Sequence, residues 1–353
     1  MKILHVITSL RTGGAEKLMV DLLPRLRDLG NDVELLLFDG TRTPFYEELE
    51  NMRIKIHHLA IEGNVYNPLN TFRLREYLKN YDIIHTHNTA CQYFVPLAKI
   101  LSRAKCKLFT TEHNTFNRRR TIFGWKYIDR FIYSQYKTII SISEKATDNL
   151  IAFIGNKYKI RTIENGIDLS KFKFLSPVNF NSKDKIITMI AGFRKQKDQD
   201  TLIKAISLLP QEYRLWLVGD GERRTILEDL VTELYLGNRV KFLGIQSDIP
   251  QILENSHIVV LSSHWEGLSL SSVEGIASGR PFIASDVDGL REVVGGHGVL
   301  FPHQDAKALA NEIKSLCENR NKYNEVSLAC KEKAKQYDIN IMAKKYNNLY
   351  YDN

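Results

Sequence analysis

Short, continuous apolar runs recur along this chain, and helical stretches lie between several of them. Such runs begin with KILHVIT (2–8) and DVELLLF (32–38), and they continue to HIVVLSS (257–263) and PFIASD (281–286). Apolar runs that do not alternate with polar residues are typical of strands buried on both faces. Strands that alternate with helices form parallel, doubly wound sheets, so the sequence predicts an α/β fold.

A polar stretch, FLSPVNFNSKDK (174–185), interrupts this pattern and predicts a linker. A chain of 353 residues is long enough for two domains with a sizeable core in each. We therefore predict one Rossmann-like domain over 1–174 and a second over 175–335, followed by a terminal helix over 336–353. A ligand cleft is expected between the domains, outside the carboxyl ends of the strands.

The composition favours a cytoplasmic protein with an anionic partner. The four cysteines show no C-x-x-C pairing, which favours reduced thiols over a disulfide framework or a zinc site. The N-terminal apolar run has no small-residue cleavage site and predicts a first strand rather than a signal peptide. No run approaches the roughly 18 apolar residues of a membrane span. The formal net charge is +8.

Two glutamates, Glu266 and Glu274, flank a predicted strand-to-helix junction. The backbone N–H groups of such a turn and the N-terminus of its helix suit an anion. Ionised carboxylates at the same place suit sugar hydroxyls, because they accept hydrogen bonds. The alternatives are a solvated loop carboxylate for Glu266 and a capping box, Ser271-x-x-Glu274, for Glu274.

Gly13 and Gly14 follow the first strand and precede a helix. They predict either a tight turn or a close approach of the backbone to phosphate or acceptor, and we assign Gly13 and Gly14 to donor binding. The chain has no G-x-G-x-x-G fingerprint here, which argues against a dinucleotide.

The segment from Glu266 to Val294, EGLSLSSVEGIASGRPFIASDVDGLREVV, resembles the E-x7-E signature of retaining glycosyltransferase family four. The resemblance extends to about residue 320, with further motifs in the family's order: RTGGAEKLMVDLL (11–23), DIIHTHN (82–88), SISEKATDNL (141–150), IENGIDLSKF (163–172) and KQKDQDTLIKA (195–205). It implies the GT-B fold, in which two Rossmann-like domains with parallel sheets face each other across a central cleft. By this resemblance 1–174 would bind the acceptor, 175–335 would bind the nucleotide sugar, and the terminal helix over 336–353 would cross back to the N-terminal domain.

The resemblance also implies roles for individual residues. Glu274 would bind the ribose of the nucleotide, and Glu266 would face the donor sugar near the reacting centre. Lys197 would neutralise the diphosphate leaving group, and His113 would bond to the donor sugar or support charge at its anomeric carbon. Donor hydroxyls and phosphate would be held by the backbone amides of Gly267, Leu268, Ser269, Leu270 and Ser271.

In one respect the chain departs from the family. Many members carry an arginine five residues before the lysine, where this chain has Gly192. Arg194 is the predicted substitute, since a guanidinium can hold two phosphate oxygens. The alternative is that Arg194 is a solvated charge and Lys197 acts alone.

No metal and no cofactor are predicted. Two D-x-D patterns occur, Asp198-x-Asp200 and Asp286-x-Asp288. The first opens a predicted helix, the second lies in a loop after a strand, and GT-B enzymes typically need no metal. His85 and His87 lie on one face of a strand, where structural roles are expected.

The stretch 117–137 mixes basic and aromatic residues. It predicts either a helix that covers the core with extended basic side chains or a peripheral contact with the inner face of an anionic membrane. The chain contains no known nucleic-acid module, so nucleic acid is not an expected partner.

The predicted function is that of a retaining glycosyltransferase in surface polysaccharide synthesis. It would move a hexose or N-acetylhexosamine from a nucleotide sugar, most simply UDP-linked, to a glycan or lipid-linked saccharide acceptor. One alternative is an inverting GT-B enzyme, which needs a base such as His113. The other is a non-enzymatic nucleotide-sugar-binding subunit.

Overall fold

A computed structural model of the chain describes residues 1–113, 122, 124–172, 178–246 and 248–352. These residues form two compact units. The first comprises Met1–Gly166 together with Ile339–Asn353, and the second comprises Ile167–Asp338.

The described part of the first unit forms a seven-stranded parallel sheet in the order β3-β2-β1-β4-β5-β6-β7. Its strands are β1 (Lys2–Ile7), β2 (Asp32–Asp39), β3 (Lys55–Ala60), β4 (Ile83–His87), β5 (Lys107–Glu112), β6 (Thr138–Ser141) and β7 (Ile160–Thr162). Its helices before the second unit are α1 (Gly14–Asp28), α2 (Pro44–Asn51), α3 (Asn70–Leu74), α4 (Thr89–Ser102), α5 (Trp125–Tyr133) and α6 (Glu144–Ile154).

The described part of the second unit forms a six-stranded parallel sheet in the order β10-β9-β8-β11-β12-β13. Its strands are β8 (Lys185–Ile190), β9 (Tyr213–Val218), β10 (Val240–Gly244), β11 (Ile258–Leu261), β12 (Phe282–Ser285) and β13 (Val299–Phe301). Its helices are α7 (Gln199–Ser207), α8 (Arg224–Glu233), α9 (Ile249–Glu254), α10 (Leu270–Ala277), α11 (Leu290–Val294), α12 (Ala306–Glu318) and α13 (Arg320–Ala334). A final helix, α14 (Ile339–Tyr351), belongs to the first unit.

Strand β1 shows why the apolar runs are continuous. Ile3 and Ile7 pack into a core that includes residues of α1 and α14. Leu4 and Val6 pack into a second core that includes residues of α4. Because neighbouring side chains of a strand point to opposite faces, both faces of the sheet are covered. The predicted α/β class with parallel sheets is confirmed.

The chain passes from one unit to the other earlier than the predicted boundary at 174/175. The N–H of Ile167 donates to the carbonyl of Tyr337 at 2.9 Å, and Ile167 and Phe172 lie in the core of the second unit. Burial of these two apolar side chains places residues 167–172 in that unit. Of the predicted linker 174–185, residues 174–177 lie outside the described residues, and the rest leads into β8.

Strand order reverses once in each sheet, between β1 and β4 in the first and between β8 and β11 in the second. At such a switch point the segments after the two strands diverge to opposite faces and leave a crevice at the carboxyl edge, where ligands of α/β proteins bind. Sheet order therefore identifies two places at which to look for functional residues.

Within the described ranges, no helix has both the length and the apolar character needed to cross a membrane.

Candidate functional site

The switch point of the second sheet brings Lys197 and Glu266 together across 69 positions of sequence. Lys197 follows β8 and Glu266 follows β11. The lysine ammonium donates a hydrogen bond to Oε1 of Glu266, and the Ser263 hydroxyl donates to the same oxygen at 2.7 Å. Two residues that the sequence proposed for one site are thus direct partners.

This ion pair is mostly removed from water. The side chain of Lys197 is 15% exposed and that of Glu266 is 4% exposed. Because an unpaired charge is costly at such a depth, each partner compensates the charge of the other and holds it in a fixed position. The buried pair also excludes the alternative of a solvated loop carboxylate for Glu266.

Helix α10 begins at Leu270, and its N-cap is Ser269, not Ser271. The Ser269 hydroxyl accepts from the N–H of Ser272 at 3.2 Å. Glu274 consequently lies in the second turn, beyond the capping-box position, so the alternative of a capping box is wrong. The carboxylate is partly buried.

Part of the predicted amide cradle is already used within the turn. The N–H of Ser269 donates to the carbonyl of Gly267 at 3.1 Å, and the side chain of Leu268 is buried in the core. The prediction that the Ser269 amide serves a ligand is therefore not supported by this geometry. No described contact bears on ligand binding by the amides of Gly267, Leu268, Leu270 and Ser271.

Arg194 lies beside the position where the sequence lacks the family's arginine. If Gly192 carried a Cβ atom, that atom would lie 3.9 Å from Nε of Arg194. The Arg194 side chain is exposed and folds back over Gly192. A Cβ atom at residue 192 would therefore be in ordinary van der Waals contact with the Arg194 side chain.

Three further side chains meet next to Lys197 and Glu266. Nδ1 of His264 lies 2.8 Å from Nε2 of His303 and 3.7 Å from a carboxylate oxygen of Asp198. The three donor atoms lie within 4.8 Å of one another and could hold a metal ion. Burial raises the pKa of Asp198, whose backbone is in the left-handed region with φ of 48°.

In both D-x-D patterns, an arginine pairs with aspartate. Asp200 accepts from the guanidinium of Arg223 at 2.8 Å, apart from the cluster around Asp198. Asp286 and Asp288 are held by one arginine, Arg291, at 2.6 and 3.5 Å.

At the switch point of the first sheet, a carboxylate lies against the glycine turn. A side chain at Gly13 would collide with the carboxylate of Glu16, whereas Gly14 faces open space. Oε1 of Glu16 accepts from the Asn88 side chain at 3.2 Å, and burial raises the pKa of Glu16. A carboxylate at this turn disfavours phosphate and suits hydroxyl groups.

Sequence reasoning missed Glu16 and Asn88. Their only signal is position, because Glu16 lies in the first turn of α1 and Asn88 follows β4. That β1 and β4 are neighbours is a property of the folded sheet.

Four histidines lie in or directly after neighbouring strands of the first sheet: His5 in β1, His85 and His87 in β4, and His113 after β5. His113 follows β5, and its Nε2 lies 2.9 Å from Nδ1 of His87. His87 Nε2 in turn lies 3.0 Å from Nδ1 of His5. His85 instead bonds through Nδ1 to the hydroxyl of Tyr350 and through Nε2 to Thr111.

Burial keeps these histidines neutral. It lowers the pKa of His5 to about 3 and that of His113 to about 4. It lowers the pKa of both His85 and His87 well below 6.5. The side chain of His113 keeps part of its surface exposed, whereas the other three are fully buried.

Two parallel-sheet Rossmann-like units, each with candidate residues at its switch point, have the architecture of GT-B glycosyltransferases. Residues 12–171 match Glycosyltransferase Family 4, and residues 170–337 match Glycosyl transferases group 1. The chain thus belongs to the glycosyltransferases, with one of these domains in each half. This finding identifies an enzyme and sets aside the alternative of a non-enzymatic binding subunit.

Curated relatives carry the same kind of activity in their names. The chain is 26% identical to N-acetyl-alpha-D-glucosaminyl L-malate synthase of Bacillus anthracis, over 78% of this chain and 75% of the relative. It is 27% identical to the UDP-Gal:alpha-D-GlcNAc-diphosphoundecaprenol alpha-1,3-galactosyltransferase of Escherichia coli, over 78% and 76%.

A solved structure matches the fold over its whole length. The crystal structure of Anabaena Alr3699/HepE in complex with UDP-glucose has a TM-score of 0.86 and 23% identity, and the match covers 100% of both chains.

The buried histidines predict a loss of stability in mild acid. Histidines of the unfolded chain take up protons near pH 6.5, whereas those of the folded chain stay neutral to much lower pH. The free energy of unfolding should be independent of these groups above pH 6.5. Below it, each buried histidine should remove up to about 1.4 kcal/mol per pH unit.

Urea unfolding between pH 7 and pH 5 measures this effect. Glu34, whose pKa is lowered to about 2, also makes the free energy of unfolding fall as the pH falls, but it does so mainly below pH 5. A free energy of unfolding that does not fall from pH 6.5 to pH 5 would contradict neutral burial.

Proposed function

We propose that this glycosyltransferase moves a hexose or N-acetylhexosamine from a UDP-linked sugar to a glycan or lipid-linked saccharide acceptor, with retention of configuration. The observation that carries the proposal is the buried pair of Lys197 and Glu266 at the second switch point. Support comes from relatives named for transfer to diphosphoundecaprenol-linked sugars and from matching folds crystallised with UDP.

In the proposed reaction the pair positions Lys197 for the diphosphate. Glu266 holds the ammonium before the donor arrives, so the positive charge needs little reorganisation when negative charge develops on the leaving group. Glu266 remains able to accept hydrogen bonds from donor-sugar hydroxyls through its carboxylate oxygens. Lys197 thus acts on the leaving group and Glu266 on the sugar.

Retention would follow from attack on the same face as the leaving group, as the family resemblance implies. The bond from the acceptor oxygen to the anomeric carbon forms while the bond from that carbon to the phosphate oxygen breaks. The acceptor proton passes to the departing phosphate, so no separate protein base is needed.

Glu274 is the proposed ligand of the nucleotide ribose. Its place in the second turn of α10 removes the capping role that would otherwise explain a glutamate there. A carboxylate in the helix that follows the Glu266 loop suits the vicinal hydroxyls of ribose.

The variant Glu274→Gln should bind UDP and the donor about 10- to 100-fold more weakly. A charge-assisted hydrogen bond contributes about 1.5–3 kcal/mol, and the amide replaces it with a neutral one. Isothermal titration with UDP and a thermal melt would measure both affinity and folding. Glu292→Gln, at an exposed carboxylate of α11, is the matched control. Unchanged UDP affinity would remove the ribose role.

Arg194 is the proposed second cation for the diphosphate, in place of a side chain at Gly192. Its position over Gly192 supports this role, because the guanidinium starts from the same turn as Lys197. A planar guanidinium can bind two phosphate oxygens at once.

Replacing Arg194 by alanine should then lower kcat/KM to nearly the value of Lys197→Ala, and Arg194→Lys should restore it in part. A lysine keeps the charge but loses the two-pronged geometry. Steady-state kinetics of UDP release would measure this, with Lys195→Ala as a control at a neighbouring exposed cation. Wild-type kinetics for Arg194→Ala would leave Lys197 as the sole cation.

The glycine turn is proposed to face the acceptor rather than phosphate. Glu16, held by Asn88, offers a carboxylate at the edge of the first sheet, where an acceptor hydroxyl would bind well. Gly14 leaves open space for its approach. This assignment revises the sequence-based expectation that Gly13 and Gly14 bind the donor.

The segment 117–137 is proposed as a peripheral membrane contact on the cytoplasmic side. Residues 117–121 and 123 lie outside the described residues. In α5 the side chain of Tyr127 is 72% exposed and that of Phe131 is 53% exposed. Exposed aromatic side chains beside Lys126 suit an anionic lipid surface.

Transfer is proposed to proceed without a metal ion, because Lys197 supplies the positive charge that a cation would otherwise provide. Turnover should survive excess EDTA unchanged. The chelation test is informative because a metal could bind to the cluster of Asp198, His264 and His303.

The measurement is UDP release before and after chelation, in wild type and in His303→Ala. Both proteins should be insensitive to EDTA. Activity that is lost in EDTA, and is restored by manganese or magnesium in wild type but not in His303→Ala, would assign a catalytic metal to that cluster.

A further inference from the structure

The hydrogen bonds among His5, His87 and His113 form one chain across three neighbouring strands. His5 lies in β1, His87 ends β4, and His113 follows β5. His5 Nδ1 meets His87 Nε2 at 3.0 Å, and His87 Nδ1 meets His113 Nε2 at 2.9 Å. Each contact joins one nitrogen of each ring, so each must contain one hydrogen.

Only two arrangements of protons fit three neutral rings. In one, every ring carries its proton on Nδ1 and the chain donates from His5 towards His113. In the other, every ring carries its proton on Nε2 and the chain donates from His113 towards His5. The two arrangements differ in what His113 has left for a ligand.

The environment of His5, at one end of the hydrogen-bonded chain, selects between the two proton arrangements. Nε2 of His5 is buried, and it has no hydrogen-bond partner among the described residues. A buried N–H without an acceptor is the costlier and rarer defect, whereas an unpaired acceptor is better tolerated. Nε2 of His5 therefore carries the lone pair, and its Nδ1 carries the proton.

We infer that His5 and His87 fix His113 as the Nδ1–H tautomer, so that His113 offers its ligand a hydrogen-bond donor and has no lone pair to act as a base. His5 donates to His87, His87 donates to His113, and Nε2 of His113 is used as the acceptor of the last bond. His5 and His87 are positioning residues, while His85 stays outside the chain because Tyr350 and Thr111 take both of its nitrogens.

The inference deepens the proposed function and rests on it for the identity of the ligand. A Nδ1–H group suits a hydroxyl oxygen of the donor sugar. An inverting transferase needs a base that removes the acceptor proton, and a His113 held in this way lacks the free nitrogen for that task. The buried chain thus favours the retaining over the inverting reaction.

The tautomers are observed directly by long-range ¹H–¹⁵N correlation of the imidazole rings. The sample is the full-length protein, labelled on histidine in a deuterated background at pH 7.5, with assignments from single His→Asn variants. We expect Nδ1–H for His5, His87 and His113. An Nε2–H form at His113 would overturn the inference, whatever the protein transfers.

A pair of variants at His5 tests the positioning role. In His5→Asn the side-chain amide keeps a donor near the place of Nδ1, whereas His5→Leu removes it at similar volume. We expect His5→Leu to give mixed tautomers at His113 and a kcat lower by about 10-fold, the scale of lost outer-sphere support. His5→Asn should keep the Nδ1–H form and most of the wild-type kcat.

The outcomes separate this inference from the proposed function. Wild-type kcat and an unchanged His113 tautomer in His5→Leu would overturn the positioning role, and UDP binding in Glu274→Gln would still test the donor site. If His5→Leu fails to fold, which circular dichroism would show, the tautomers of the wild-type protein still decide the direction of the chain.

Discussion

Burial of both faces of each parallel sheet is the constraint on which the rest of this structure depends. Helices and apolar side chains cover both faces of β1, so polar chemistry cannot be placed there at low cost. The carboxyl edges of the strands remain, and the reversal of strand order opens each edge at one point. The candidate residues of both units lie at these two points.

At each point, hydrogen-bonded partners hold the charged and proton-carrying groups in place. Glu266 holds Lys197 in the second unit, and Asn88 holds Glu16 in the first. The histidines follow the same principle without net charge, since burial keeps His5 and His87 neutral and their hydrogen bonds determine the tautomer of His113. A site prepared in this way needs little reorganisation when a substrate binds.

Local patterns predicted the fold class well, because strand and helix periodicities reflect burial that neighbouring residues share. They failed where a distant contact decides. The boundary between units moved to 166/167 because Ile167 and Phe172 pack into the second core. The capping box at Ser271 was wrong because Ser269 fits the first turn of α10.

The sequence by itself determined two α/β units, a family resemblance, and the residue types of the proposed donor site, including Glu266, Glu274 and Lys197. These follow from short-range patterns that survive in one dimension. Only the tertiary structure decided that Lys197 and Glu266 are partners, that Asn88 meets Glu16 beside the glycine turn, and that His113 ends a directed chain of hydrogen bonds. Such contacts join residues far apart in sequence, and they exist only once the order of the strands has placed β1 beside β4 and β8 beside β11.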